Sequence, residues 1–163
     1  MKRIVLLSWI LLSVGCAFAE NHWQTHFSYN SVQQIAMDKN EVYALANGKM
    51  FSVNQKTEHL TLFTNFSGLH GTEIVQLAYD DVSEQLLIFY SDGKLDILHN
   101  KKVKYVADLY NKQITSSKRC NNVTFKGNMA YLSMDFGILT FDIEEYKFVD
   151  TYYIAWQEIP ERN

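Results

Sequence analysis

The chain is poor in the residues that break regular structure. Its 163 residues hold one proline and seven glycines, which excludes collagen-like and low-complexity classes. Cysteine is equally scarce, at two, so a disulfide-stapled scaffold is excluded. Positive charge is not in excess: 15 basic residues face 18 acidic ones, for a net charge of −3. A general nucleic-acid binder is therefore not expected, because neutralising phosphate needs a basic surface. What is abundant is apolar and aromatic side chain, 47% and 14% of residues, with ten Tyr and ten Phe. That composition builds a packed core and favours strands.

The first nineteen residues read as an address. Lys2 and Arg3 precede an apolar run from Ile4 to Val14, and Ala17-Phe18-Ala19 forms a small-residue cleavage signal before Glu20. Residues 1–19 are thus expected to be a secretory signal peptide cut between Ala19 and Glu20. The run is short of the ~20 residues a spanning helix needs, and no later segment is apolar enough to cross a membrane. An alternative is a lipoprotein signal modified at Cys16, although Ser13 fits that pattern poorly. Cleavage leaves 144 of the 163 residues, removes two basic residues and takes the net charge to −5. Cys120 is then the one remaining cysteine, and a buried structural thiol is expected there. The expected location is exported, in the periplasm or at the outer-membrane surface.

Three units of about 44 residues follow. Each runs strand, polar turn, strand, glycine-containing turn, strand. Gly48, Gly93 and Gly137 mark the same point in each, 45 and 44 residues apart. Asn47-Gly48 and Asp92-Gly93 suit tight hairpins with positive φ at both central residues. A fourth strand is expected in each unit, at Thr61–Asn65, Val103–Leu109 and Phe148–Tyr153. Four strands in about 44 residues is one propeller blade. The fold class is all-β: a partial β-propeller of about three four-stranded antiparallel blades over residues 20–154. An ordinary twelve-stranded sandwich is the alternative. Expected inter-blade core residues are Ile35, Val42, Leu45, Phe51, Leu77, Leu87, Phe89, Ile97, Val123, Tyr131, Leu132, Ile138 and Phe141.

Catalytic motifs are missing. There is no phosphate-binding loop, nucleophile elbow or zinc-protease motif. Asp135-Phe136-Gly137 matches a kinase triplet, but it sits on the repeat's own turn. The five histidines, His22, His26, His59, His70 and His99, make no spaced ligand set and read as solvated loop residues. No catalytic, cofactor or metal residues are assigned, and the chain is expected not to be an enzyme. Asn65-Phe66-Ser67 and Asn122-Val123-Thr124 match the glycosylation sequon. Lys101, Lys102 and Lys104, with Lys112, Lys118 and Arg119, form the basic cluster. It is either a solvated turn or a contact for an anion or acidic glycan.

The repeats also carry a resemblance. Phe66-Ser67-Gly68-Leu69-His70-Gly71-Thr72-Glu73-Ile74 resembles the opening of blades in two-component-regulator propellers, but the Leu-Trp-Ile-Gly-Thr of that family is absent. Leu86–Leu98, Trp23-x-x-His26-x-Ser28-Tyr29, Lys118-x-Cys120-Asn121, Ala130–Ile138 and Asp150–Ile154 are together similar to the N-terminal propeller of the PorZ family, components of the Bacteroidota type IX secretion system. The resemblance spans about Trp23 to Ile154. It implies an exported, non-enzymatic surface module, without cofactor, involved in cargo attachment. Its implied partners are other type IX components or anionic lipopolysaccharide. The alternative it leaves is a ligand-sensing ectodomain of the two-component-regulator type. Residues 155–163 hold the only proline and no repeat, where family members begin another blade. The chain therefore reads as a truncated N-terminal piece, and self-association through its terminal blades is expected.

Overall fold

A computed structural model describes residues 31–153. The signal peptide with Cys16, Ala19 and Glu20, the stretch from Trp23 to Tyr29, and residues 154–163 lie outside the described residues.

Twelve strands form three separate four-stranded antiparallel sheets, each in simple sequential order. Blade 1 comprises β1 (Val32–Met37), β2 (Glu41–Ala46), β3 (Lys49–Asn54) and β4 (Leu60–Phe63). Blade 2 comprises β5 (Ile74–Asp80), β6 (Gln85–Tyr90), β7 (Leu95–His99) and β8 (Lys102–Val106). Blade 3 comprises β9 (Cys120–Lys126), β10 (Met129–Met134), β11 (Gly137–Asp142) and β12 (Lys147–Tyr153). The first strands of successive blades lie side by side, β1 beside β5 and β5 beside β9. This is the inner ring of a propeller and excludes the sandwich.

Two apolar layers hold the blades together. Tyr43, Leu45 and Met50 of blade 1 pack on Leu77, Leu86, Ile88 and Tyr90 of blade 2. Leu87, Phe89, Leu95 and Ile97, from the other face of blade 2, pack on Ala130, Leu132, Leu139 and Phe141 of blade 3. Blade 2 is covered on both sides, so all six residues of β6 are buried. In β10 burial alternates, with Ala130, Leu132 and Met134 inward. Burying large side chains contributes about 1.5–3 kcal/mol each.

Three expected core residues are exposed. Ile35 lies on the face of blade 1 turned from blade 2, and Tyr131 and Ile138 lie on the face of blade 3 turned from blade 2. Val42, Phe51 and Val123 are half-buried. The fourth strands also shift. β4 stops at Phe63, and Asn65 starts a 3-10 turn capped by Thr64. β8 stops at Val106, and the chain turns into α1 (Asp108–Asn111), which buries Leu109.

The two glycine hairpins differ. Asn47 and Gly48 both have positive φ, 50° and 73°, the two-residue turn whose twist matches its strands. At the second, Gly93 alone has positive φ, 88°, and Asp92 does not. Ser91-Asp92-Gly93 is a three-residue loop closed by bonds from Gly93 N–H to Tyr90 and from Tyr90 N–H to Lys94. A third tight turn has no glycine: Asn100 and Lys101 have φ of 49° and 62° between β7 and β8.

Candidate functional site: an axial cleft and a basic edge

One end of the propeller carries the β2–β3, β6–β7 and β10–β11 turns and both connections between blades. A cleft of about 540 Å³ opens there, within the usual range for ligand sites. It is built by the starts of the inner strands. Each has a register irregularity near its first residues: between Val32 and Gln34 in β1, between Ile74 and Gln76 in β5, and at Cys120–Asn122 in β9. Such bulges bend a strand and re-aim its side chains. They turn Gln34, Gln76 and Asn121 to the cleft, with Glu73 and Arg119 also lining it.

The charged groups are fixed from the sides. Glu73 Oε2 accepts from Ser91 Oγ at 2.8 Å. Asp135 accepts from Asn121 Nδ2 at 2.7 Å. Hydrogen bonds from Ser117 and Asn121, aided by the charge of Arg119, hold its carboxyl below the usual range. Cys120 also borders the cleft, but its thiol is buried and unpaired with another cysteine. Burial pushes its pKa up to about 12. A thiol held protonated is a poor nucleophile, as the sequence reading expected of a structural cysteine. Among the described residues no three His, Cys, Asp or Glu side chains gather as a metal site.

His70 is exposed on the β4–β5 connection, as expected of a loop histidine, but it is anchored there. Its main-chain N–H donates to Asp96 Oδ2 at 2.8 Å, and its Nδ1 lies 2.9 Å from Asp96 Oδ1. Tyr90 Oη donates to the same carboxylate at 2.7 Å. The His70 ring stacks on Tyr105 with centroids 4.6 Å apart. Asp96 is fully buried, so this network is a clamp between blade 2 and the β4–β5 connection.

The basic cluster is divided. Lys101 and Lys102 stand exposed at the β7–β8 turn, and Lys104 follows on the outermost strand of blade 2, its Nζ 3.5 Å from the centroid of Tyr146. Lys118 is elsewhere, near Gly93, with its Nζ donating to the Tyr110 carbonyl at 2.6 Å. The length of β7, roughly 15 Å at 3.3 Å per residue, separates the two groups. Both sequon asparagines are exposed, and Asn65 Nδ2 donates to the Leu69 carbonyl at 2.9 Å.

Sequence reasoning found the lysines but missed the cleft and the Asp96 clamp. The available signal was a carboxamide near the start of each inner strand, at Gln34, Gln76 and Asn121.

Comparison with known proteins agrees with the fold. The family described as "TSS9, PorZ, N-terminal beta-propeller domain" matches residues 42–160. No curated protein matches the chain. Among solved structures, PorZ of Porphyromonas gingivalis, a bacterial surface component of its type IX secretion system, aligns at 30% identity with a TM-score of 0.74. The alignment covers 79% of this chain and 18% of PorZ. Two extracellular domains of two-component-system proteins from B. thetaiotaomicron align at 15% identity, with TM-scores of 0.57 and 0.63. They cover 76% and 81% of this chain and 17% and 18% of theirs, and at that identity they share the fold. The chain thus spans less than a fifth of each of these relatives. Among the described residues no helix is long and apolar enough to cross a membrane.

Proposed function

Because the chain belongs to the PorZ N-terminal β-propeller family, we propose that it is an exported, non-catalytic binding module of the type IX secretion apparatus, working at the outer-membrane surface. Its role is to contact anionic lipopolysaccharide during cargo attachment, through Lys101, Lys102 and Lys104. One observation carries this reading: the three lysines line one exposed edge of blade 2. Lys101 supports it further. A side chain at φ 62° is strained relative to glycine, and strained backbone clusters at functional positions. Charged contacts at an exposed edge are screened by salt, so binding falls as ionic strength rises.

Reversing all three charges tests the assignment. K101E/K102E/K104E keeps a non-glycine residue at the strained turn, so folding is unchanged while affinity for anionic lipopolysaccharide falls at least tenfold. Equal binding by variant and parent removes the lysines from the contact. Binding by neither removes the polysaccharide.

A second reading, ligand sensing, is favoured by the axial cleft. Propellers with this fold form the extracellular domains of the B. thetaiotaomicron proteins. Reading the gene past the codon for Asn163 separates the two: further blades followed in frame by a membrane span and kinase support sensing, and further blades without them support the secretion module.

A further inference from the structure

The inner strands carry the same irregularity at the same register step. Gln34 pairs with Leu45, Gln76 with Phe89 and Asn122 with Ser133. These carboxamides occupy equivalent positions in the three blades. In blade 1 the consequence is visible. Gln34 Nε2 donates to the Leu77 carbonyl at 2.7 Å, and Gln34 Oε1 accepts from the Leu77 N–H at 2.9 Å. The side chain pairs with a main-chain N–H and C=O as a neighbouring strand residue does.

Gln76 has the same side chain at the same position and no such pair. Its bond is a long one, 3.4 Å from Nε2 to the Leu77 carbonyl, which already accepts from Gln34. Its Oε1 accepts nothing from the described residues, although Gln76 is 9% exposed and lines the cleft. That oxygen is not sealed from solvent, so it can accept from a ligand N–H in the cleft.

We propose that the axial cleft binds an extended peptide segment, and that Gln76 pairs with a main-chain N–H and C=O of that segment as Gln34 pairs with those of Leu77. The lining fits such a ligand. Leu45, Ile74 and Val75 supply apolar contact and Arg119 a cation at the rim. Among the described residues no aromatic ring lines the cleft. An acidic side chain on the peptide strengthens binding through Arg119. The site is separate from the lysine edge, so its failure and that of the polysaccharide reading are distinguishable.

The test uses the full chain labelled with ¹⁵N and a capped hexapeptide of alternating Val and Thr with one Glu. Titration shifts the side-chain amide resonances of Gln76. Gln76→Leu weakens binding at least tenfold, and Arg119→Glu at least threefold. Because Gln76→Leu could disturb β5, two peptides N-methylated on alternate residues are titrated into the unaltered chain. One of them loses at least tenfold in affinity. No shift at Gln76, or equal binding of both methylated peptides and the parent peptide, overturns the proposal. So does a shift of Gln76 by maltotetraose with none by the peptide.

Discussion

Cys120 shows what a single residue's surroundings decide. Its thiol is 1% exposed, and burial raises its pKa from 9.0 to about 12. Below pH 9 the thiol is protonated in both folded and unfolded chains, so its contribution to stability is complete. Between pH 9 and 12 the unfolded chain ionises while the folded chain does not, and that contribution is lost as pH rises. The slope approaches ~1.4 kcal/mol per pH unit where only the unfolded thiol is ionised. Buried Tyr43 and Tyr90, whose pKa values are also raised, add to the alkaline loss. Comparing urea unfolding of the parent with Cys120→Ala isolates the thiol: the variant loses less stability over this window. Parallel curves would show that the thiol is not protected. The same residue was legible in the sequence, because a lone cysteine before an apolar alternation has a simple fate. The anchoring of His70 was not, because its partner Asp96 is 26 positions away.

At the scale of elements, repetition made the blades legible and hid the differences between them. Twelve strands follow from the repeated alternation and the marker glycines. The turn at Asn100-Lys101 has no such marker, and the end of β8 at Val106 depends on Leu109 turning inward on α1. The bulges are harder still to foresee, since one extra residue in a strand is visible only against its partner's register. The Asp96 clamp is likewise assembled from three places: β7 supplies the carboxylate, β6 the Tyr90 hydroxyl, and the β4–β5 connection His70. Gly71 lets that connection lie on the Tyr90 ring, where an added Cβ would overlap it. Asp96→Ala leaves the buried Tyr90 hydroxyl unmet and frees the part-buried His70 donors, so a loss of about 1–3 kcal/mol is expected in urea unfolding. Asp96→Asn keeps an acceptor and loses less. Equal, small losses in the two variants would show that the clamp contributes little.

For the whole molecule, position-matched residues have opposite surroundings. Met50, Leu95 and Ile138 occupy one position in successive blades, paired with Leu45, Phe89 and Ser133. The first two are at most 1% exposed, while Ile138 is 44% exposed. Ile35 and Leu77 correspond in the same way, pairing with Ala44 and Ile88, yet Ile35 is 58% exposed and Leu77 1%. What differs is the neighbouring blade, not the side chain. Exposed apolar patches on sheet faces drive association, and the chain is therefore expected to self-associate through the outer faces of blades 1 and 3. Sedimentation across a hundredfold range of concentration checks this, because association is set by mass action. The weight-average mass rises with concentration for the parent. Ile35→Lys with Ile138→Lys weakens that association at least tenfold while leaving the two inter-blade layers intact. A mass that stays at one chain throughout the range would show that these faces do not bind one another.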